Sequence, residues 1–175
     1  MRADLAKEDN RFMLRDSSLV QLSRQHQHAL ALCVRIERAL REGAVDLAVW
    51  RPEIRQHFAD EVQFHFAAEE KVLFPVARRF PELAVLVEEL TGDHQQLREY
   101  FGRADQGTMN PGELETFAKL LSAHIRKEER QLFEAMQERL SPEELKSLGD
   151  ELARALEDAE QVCRLHASPG ESKTP

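Results

Sequence analysis

The stretch HFAAEEKVLF, residues 65–74, decides how this chain folds, because it returns further along as HIRKEERQLF, residues 124–133. In both copies a histidine precedes the first of two adjacent glutamates by four positions, and Phe-Ala stands at the same distance upstream. On an α-helix this spacing places the imidazole and the carboxylate on one face, one turn apart. Two such helices facing each other would form a cage of nitrogen and oxygen atoms suited to two metal ions.

Composition limits the class of protein. The chain has 175 residues, of which 42% are hydrophobic, enough for one domain with one core. Its 24 Lys+Arg against 32 Asp+Glu give a net charge of −8, and without a basic stripe we expect no nucleic-acid partner. Cys33 and Cys163 are too few for a disulfide scaffold. The absence of a long apolar run and of a leader predicts a cytoplasmic protein with no membrane span.

The apolar residues recur at intervals of three and four, and strand patterns are missing. This periodicity predicts helices over approximately 17–41, 52–79, 82–101 and 113–139, and a fifth helix from Ser141 onward. Short connections favour antiparallel neighbours. The predicted fold class is therefore all-α, an up-down-up-down four-helix bundle with an additional C-terminal helix. We expect one domain over 1–166, with its core at about 14–140 and the appended helix at 141–166, followed by a disordered tail over 167–175.

Local signals mark several helix ends. Gly43 is suited to stop the first helix, and Ser141-Pro142-Glu143-Glu144 is typical of a capping box at the start of the fifth. The segment 102–112 is predicted to be a loop. Three phenylalanines of the second helix lie about 100° or more from the His65 face. They are Phe64, Phe66 and Phe74. We expect the fifth helix or the segment 12–14 to cover them, with a dimer contact as the alternative.

Each of the four bundle helices places one histidine inside its apolar stripe. These histidines are His26, His65, His94 and His124. A single histidine on an apolar face is usually a hydrogen-bonded core residue, but four at one level need a common cause, since each must be desolvated and satisfied. Glu69 and Glu128 add two carboxylates, which are rarely buried without a partner. Metal cations would balance the carboxylates and accept the imidazole lone pairs.

Two further histidines are less suited to the centre. His26 shares its stripe with leucines, whereas His28 has polar helical neighbours, so His26 is the predicted ligand and His28 is expected at the solvent or the rim. His57 precedes Glu61 by four positions, the same histidine-to-glutamate spacing as in the repeated stretch. It stands about 80° from the ligand stripe, however, and a solvated position is the favoured interpretation.

Each ligating imidazole needs a hydrogen-bond acceptor for its second nitrogen. The candidates by proximity are Glu61, Glu70, Asp93 and Glu129. A solvated position is nevertheless the favoured interpretation of each of them. Gly92, two residues before His94, indicates either close packing beside the site or a helix irregularity, because glycine inside a helix costs about 1 kcal/mol relative to alanine.

Four imidazoles and two carboxylates suit a pair of first-row metal ions such as iron or manganese. The lack of thiolates in the set argues against structural zinc. Each glutamate could bridge both ions while two histidines cap each ion, although the spacing does not decide which histidines pair. The predicted cofactor is two iron ions joined by an oxide or hydroxide bridge, ahead of manganese or zinc. About five ligands on each ion would leave one position open for O2, NO or peroxide.

The arrangement of these residues resembles the haemerythrin-like, histidine-histidine-glutamate cation-binding domain. The resemblance covers about residues 14–140 and rests on His26, His65-x-x-x-Glu69, His94 and His124-x-x-x-Glu128. It implies a non-haem di-iron centre in a four-helix bundle, with the histidines as terminal ligands and the glutamates as bridging carboxylates.

Two departures narrow the resemblance. Arg98 stands where oxygen-carrying haemerythrins have a second histidine on the third helix, and Glu129 stands where they carry an aspartate. The chain is therefore similar to the four-histidine, two-glutamate branch, which includes bacterial iron-centre repair proteins and eukaryotic iron-sensing domains. Reversible oxygen carriage, which relies on one saturated and one open iron, is not expected.

Three functions are compatible with the sequence. The favoured one is a di-iron binding protein that binds or senses O2 or NO, or handles iron, with a small diatomic ligand as its partner. The alternatives are an enzyme that reduces O2 or peroxide or repairs iron centres, and a helical interaction module without metal. Tyr100, nearly two turns past His94, offers no radical relay, which favours binding over catalysis. A homodimer or an unidentified protein partner stays open.

Overall fold

Five helices make up the part of the chain that the computed structural model describes, residues 15–166, with side chains described as far as Asp158. They are α1 (Val20–Arg41), α2 (residues 47–77), α3 (Ala84–Asp105), α4 (residues 111–139) and α5 (Pro142–His166). No strand occurs within 15–166. The predicted all-α class is confirmed, while the segment 12–14 and the tail 167–175 lie outside the described residues.

The long helices α2 and α4 are not uniform α-helices. Three π-helical turns interrupt them, at Phe58–Val62 and Glu69–Leu73 in α2 and at Glu128–Leu132 in α4. The α-helical segments around these turns are Leu47–His57, Gln63–Ala68 and Phe74–Ala77 in α2, and Pro111–Lys127 and Phe133–Arg139 in α4. A π-helical turn adds a residue to the helix and so changes which side chains share a face. Two of the three begin at the first glutamate of the repeated phrase.

Several predicted helix ends are wrong by about a turn. α2 begins at Leu47 rather than near Pro52, because the Asp46 carboxylate accepts a hydrogen bond from the Ala48 N–H and caps the helix earlier. α3 continues to Asp105, so the loop predicted over 102–112 shrinks to 106–110. Gly43 follows the end of α1 with φ 66°, a conformation that glycine adopts without strain, as its position predicted.

Capping boxes start the last two helices. Asn110 accepts a hydrogen bond from the Glu113 N–H, and the Glu113 carboxylate accepts one from the Asn110 N–H. Asn110-Pro111-Gly112 is therefore a helix start, not part of a loop. The predicted box at α5 is confirmed, because the side chains of Ser141 and Glu144 accept hydrogen bonds from each other's backbone N–H.

The apolar core forms two clusters, one at each end of the bundle. One cluster contains Leu22, Leu73, Val87 and Met136, from the beginnings of α1 and α3 and the ends of α2 and α4. The other contains Ile36, Ile54, Phe101 and Leu114, from the opposite halves of the same helices. Helix starts thus meet helix ends at both poles, which establishes the up-down-up-down order. No helix within the described residues is long and apolar enough to cross a membrane.

Helix α5, one of the two segments predicted to cover these phenylalanines, packs against the outer side of α2. Its residues Leu148 and Leu152 belong to the same apolar cluster as Phe64. Phe66 and Phe74 behave differently, since their rings stack on the His94 ring with centroids 3.8 and 5.3 Å away. The expectation that all three phenylalanines need a cover is wrong, because a bundle helix also faces its neighbours, and Phe66 points at α3.

Two glycines should respond oppositely to alanine. A Cβ on Gly149 of α5 would lie 2.8 Å from Ser18 Cα, whereas a Cβ on Gly92 of α3 meets nothing within 4 Å. Gly92 therefore does not serve close packing. Both substitutions gain about 1 kcal/mol of helix propensity, but Gly149→Ala also forces backbone apart at roughly 1–3 kcal/mol. Urea unfolding should place Gly149→Ala below Gly92→Ala by that difference, and equal stabilities would contradict the contact.

Candidate metal centre

The six side chains singled out in the sequence meet between the two apolar clusters. They are His26, His65, Glu69, His94, His124 and Glu128, and each is at most 4% exposed. Helix α1 and helix α3 contribute one histidine each, while α2 and α4 contribute a histidine and a glutamate. All six therefore form one buried belt across the bundle.

The belt consists of two overlapping groups. One contains His26 and His65, the other His94 and His124, and Glu69 and Glu128 belong to both. Within each group one possible ligand atom of every residue lies within 4.8 Å of the others. The pairing of the histidines, which the sequence left open, is thus His26 with His65 and His94 with His124.

The carboxylates reach both histidine pairs. Glu69 places Oε1 3.0 Å from His65 Nε2 and Oε2 3.3 Å from His94 Nε2. Glu128 Oε2 lies 3.1 Å from His26 Nε2 and 3.2 Å from His124 Nε2. Both glutamates are positioned between the two pairs, which is where a carboxylate shared by two cations would stand.

The π-helical turns have a direct role in this placement. In each of the two that begin at a central glutamate, the second residue is another glutamate, Glu70 or Glu129, which contacts an outer nitrogen of the belt. In a regular helix adjacent residues point about 100° apart. The local widening of the turn lets two successive carboxylates serve the same centre, in line with the frequent use of π turns at functional sites.

Outer acceptors orient three of the four imidazoles by hydrogen bonds, and a carboxylate lies near the fourth. The Nδ1 contacts are His26 with Glu129 (2.7 Å), His65 with Gln25 (2.8 Å), His94 with Glu70 (2.8 Å) and His124 with Asp93 (3.5 Å). Ionised carboxylates and the amide oxygen only accept, so Nδ1 of His26, His65 and His94 carries the proton, whereas His124 Nδ1 makes no hydrogen bond. The Nε2 atoms then direct their lone pairs into the centre of the belt.

With neutral imidazoles this arrangement fits cations and supplies no hydrogen-bond donor in their place. His26 Nε2 lies 2.9 Å from His65 Nε2, and His94 Nε2 lies 3.2 Å from His124 Nε2, so lone pairs face each other. All four carboxylate oxygens of Glu69 and Glu128 are buried without a hydrogen bond. Buried carboxylates in that state are strongly destabilising. Two positive ions, one in each group, would satisfy both sets of atoms.

The pKa values of the metal-free protein reflect the same demand for positive charge. Burial lowers the pKa of His26, but the adjacent carboxylates of Glu128 and Glu129 outweigh it and raise the pKa to about 9. Burial also opposes protonation of His124, whose pKa the Glu128 charge and Asp93 raise to about 10. The neighbouring imidazoles hold the pKa of Glu128 well below its usual range despite burial.

Two arginines lie outside the belt and pair with the carboxylates that contact its histidines. Arg98 makes two hydrogen bonds to Glu70, at 2.7 and 3.0 Å, and its guanidinium lies 5.3 Å from the Phe66 ring centroid. Arg15 does the same around His26, binding the Glu129 carboxylate at 2.6 Å and lying 5.1 Å from the Phe133 ring. The Phe133 ring in turn stacks on His26. One half of the centre thus repeats the other.

The six belt residues were all singled out in the sequence, but several residues around them were wrongly expected to face solvent. Glu70, Asp93 and Glu129 contact outer nitrogens instead of facing solvent, and only Glu61 among the four candidates does not. Gln25 was missed, although its position directly before His26 was a usable signal. His28 is exposed as expected, at 67%. His57 is not solvated, because only 16% of its side chain is exposed.

A helical bundle with two pairs of histidines sharing two buried glutamates defines a class of cation-binding proteins. Comparison of the sequence with family models gives the same result, since the Hemerythrin HHE cation binding domain matches residues 18–136. The chain therefore belongs to the hemerythrin HHE cation-binding family, as its resemblance predicted. No curated protein matches the chain. No solved structure matches it either.

Loss of Arg98 should weaken metal binding without unfolding the protein. Arg98→Gln removes both hydrogen bonds that hold Glu70 against His94, and loss of such outer partners typically costs 10–100-fold in metal affinity. Arg103→Gln is the matched control, because Arg103 lies on the same helix, pairs with Glu113 and covers the Tyr100 ring away from the belt. Competition with a chelator should separate the two variants, and equal affinities would contradict the role of Arg98.

The metal-free protein should lose stability as the pH rises from about 6.5 towards 9 and 10. The folded-state pKa values of His26 and His124 exceed the unfolded value of 6.5, so their contribution is fully present below 6.5 and is lost as the pH rises through the folded values. Glu128 has the opposite sign, and its contribution is lost as the pH falls below its unfolded pKa of 4.5. Urea unfolding measured from below pH 4.5 up to pH 10 covers both limbs.

The metal-loaded protein provides the control for that measurement. Bound cations replace the protons on the imidazoles, so the alkaline loss should disappear once metal is added. A metal-free protein with constant stability between pH 6.5 and 10 would contradict the charge coupling between the histidines and Glu128.

Proposed function

We propose that the protein binds two iron ions in the belt and that it binds or senses a small diatomic ligand, O2 or NO. The observation that carries the proposal is the pair of overlapping groups that share Glu69 and Glu128. His26 and His65 would hold one ion and His94 and His124 the other, with both glutamates between them. Iron bound there would supply a redox-active cation with a coordination position for the ligand.

The donor set supports iron. Imidazole and carboxylate ligands suit iron and manganese, whereas structural zinc sites are usually rich in thiolate. Cys33 belongs to an apolar cluster instead, and burial raises the pKa of its thiol to about 12, so it supplies no thiolate at neutral pH. The two carboxylates remove two of the four positive charges of a ferrous pair, which matches the demand of the belt for cations.

A small cavity beside the first histidine pair supports a diatomic ligand. It measures about 10 Å³ and is bordered by His26, His65 and His124. Its remaining lining is Gln25, Ala29, Glu61, Val62, Phe66, Leu121 and Ile125. Such a volume holds about one water-sized molecule. The apolar wall therefore admits a diatomic gas and excludes larger substrates, while the partly exposed Gln25 and Glu61 stand between the cavity and solvent.

Arg98 argues for ligand binding or sensing over oxygen carriage. Its guanidinium is engaged by Glu70 and covers Phe66, so this position adds a positive charge outside the belt and no further imidazole. Both ions would then receive two imidazoles and the same two carboxylates. This equal division lacks the saturated and open pair on which reversible carriage depends.

The composition of the centre is the first test. Metal-free protein given ferrous iron without oxygen should retain about two irons per chain by elemental analysis, one for each group of ligands. Glu128→Ala removes a carboxylate shared by both groups and should lower the iron content below one per chain. Glu115→Ala is the matched control, because this exposed glutamate of α4 pairs with Lys119 in the next turn and lies outside the belt. Wild-type protein without stoichiometric metal, or a fully loaded Glu128→Ala protein, would refute the proposal.

The response to gas is the second part of the test. Exposure of the ferrous protein to NO or O2 should change its absorption spectrum in proportion to its iron content, without consumption beyond that amount. Continuous consumption of O2 or peroxide would indicate an enzyme. No spectral change with either gas would exclude the binding function while leaving the metal content intact.

A further inference from the structure

A second histidine–glutamate cluster lies on the surface between α1 and α2. His28 of α1 places Nδ1 3.0 and 3.3 Å from the two Glu61 oxygens, and His57 Nδ1 lies 3.9 Å from Glu61 Oε2. These three residues line an open groove of about 490 Å³. None of them belongs to the buried belt. Two imidazoles and a carboxylate are nevertheless the same donor types.

The backbone of α2 marks this cluster as unusual. The π-helical turn Phe58–Val62 begins directly after His57 and contains Glu61. The other two π-helical turns of the described chain each begin at a glutamate of the belt. The third turn, Phe58–Val62, contains no belt residue, so the placement of the belt side chains does not explain it. Since π turns are rare and occur frequently at functional sites, this one points to a role for His57 and Glu61.

His57 is prepared to act as a ligand. Its side chain is 16% exposed and places Nδ1 near Glu61, while Nε2 is buried without a hydrogen-bond partner and does not open on the groove. A neutral imidazole has a lone pair free for a metal ion.

Glu61 connects the surface groove to the interior. It lines the open groove together with His28 and His57, and it also lines the small cavity beside His26 and His65. About a fifth of its side chain is exposed. A rotation of this carboxylate would therefore carry its oxygens from the groove towards the first histidine pair.

We propose that His28, His57 and Glu61 form a surface capture site for a divalent cation, from which the ion passes by way of Glu61 to His26 and His65. The delivery step rests on the proposed function of the belt, whereas the capture site does not.

The geometry suits a weak and transient site. Ligand atoms around a cation with bonds of about 2.1 Å stand roughly 3 Å apart, which the His28–Glu61 distances already match. The ligand atoms of the three residues do not all lie within 4.8 Å of one another, and His57 Nδ1 stands 3.9 Å from Glu61 Oε2, so the exposed His28 ring must turn towards His57 for all three to bind one ion. Two other carboxylates line the same groove: Glu53 pairs with Arg35, and Asp60 accepts a hydrogen bond from Gln56.

Cobalt(II) titration of metal-free full-length protein tests the capture site. We expect a third, weaker equivalent beyond the two of the belt, and His28→Gln should abolish it while leaving the two tight equivalents unchanged. His28 is exposed, so its replacement does not disturb the core. Glu53→Gln removes a carboxylate from the same groove and should retain the third equivalent. An unchanged third equivalent in His28→Gln, or none in the wild type, would show that the cluster is only an ion pair.

Loading kinetics test the delivery step. At limiting ferrous iron, stopped-flow absorption should record filling of the belt at least about tenfold more slowly in His28→Gln than in the wild type or Glu53→Gln, with the same final content. Equal rates would overturn delivery. The Glu128→Ala protein separates the two proposals, because it should lose the tight equivalents and keep the weak one. A wild-type protein that binds only the weak equivalent would refute the proposal that the belt holds two ions, but it would support the surface capture site.

Discussion

The burial of Glu69 and Glu128 is the constraint on which the rest of the structure depends. Both carboxylates are fully buried, and their oxygens receive no hydrogen bond. Such groups are tolerated only when positive charge compensates them. The four imidazoles, the two π-helical turns that begin at these glutamates and the level at which all four helices meet are consequences of that requirement. Without these two carboxylates, the bundle would have no buried negative charge for the four imidazoles to compensate.

Charge alternates outward from the centre of the belt. Cations held there would be surrounded by the two central carboxylates and four neutral imidazoles. Carboxylates such as Glu70 and Glu129 form the next shell, and Arg98 and Arg15 lie outside them. Each layer compensates the one inside it, so no charge is buried alone. The aromatic rings beneath the two guanidiniums keep these ion pairs partly shielded from water, where their attraction is stronger than at an exposed surface.

The fold and the belt were predictable because both follow from periodicity. Apolar intervals of three and four define the helices, and the repeated phrase with the histidines of α1 and α3 defines the belt. The surroundings were less predictable, since a fixed angle of about 100° per residue ignores π turns. That assumption placed His57 on a solvated face. For Glu70 and Glu129 only proximity along the sequence was available, so a solvated position was favoured for them as well. The helix start at Leu47 escaped notice because Pro52 is a stronger start signal than Asp46.

The two apolar clusters are separate from the belt and complete without it, so each end of the bundle can hold the helices in register before any ion arrives. The ligands are then preorganised, and metal binding does not have to supply the free energy of folding, in contrast to small zinc modules that are unfolded without their ion. A cage of fixed dimensions also discriminates by size. An ion that prefers longer bonds or more ligands, such as calcium, would have to push apart helices that are anchored at both poles.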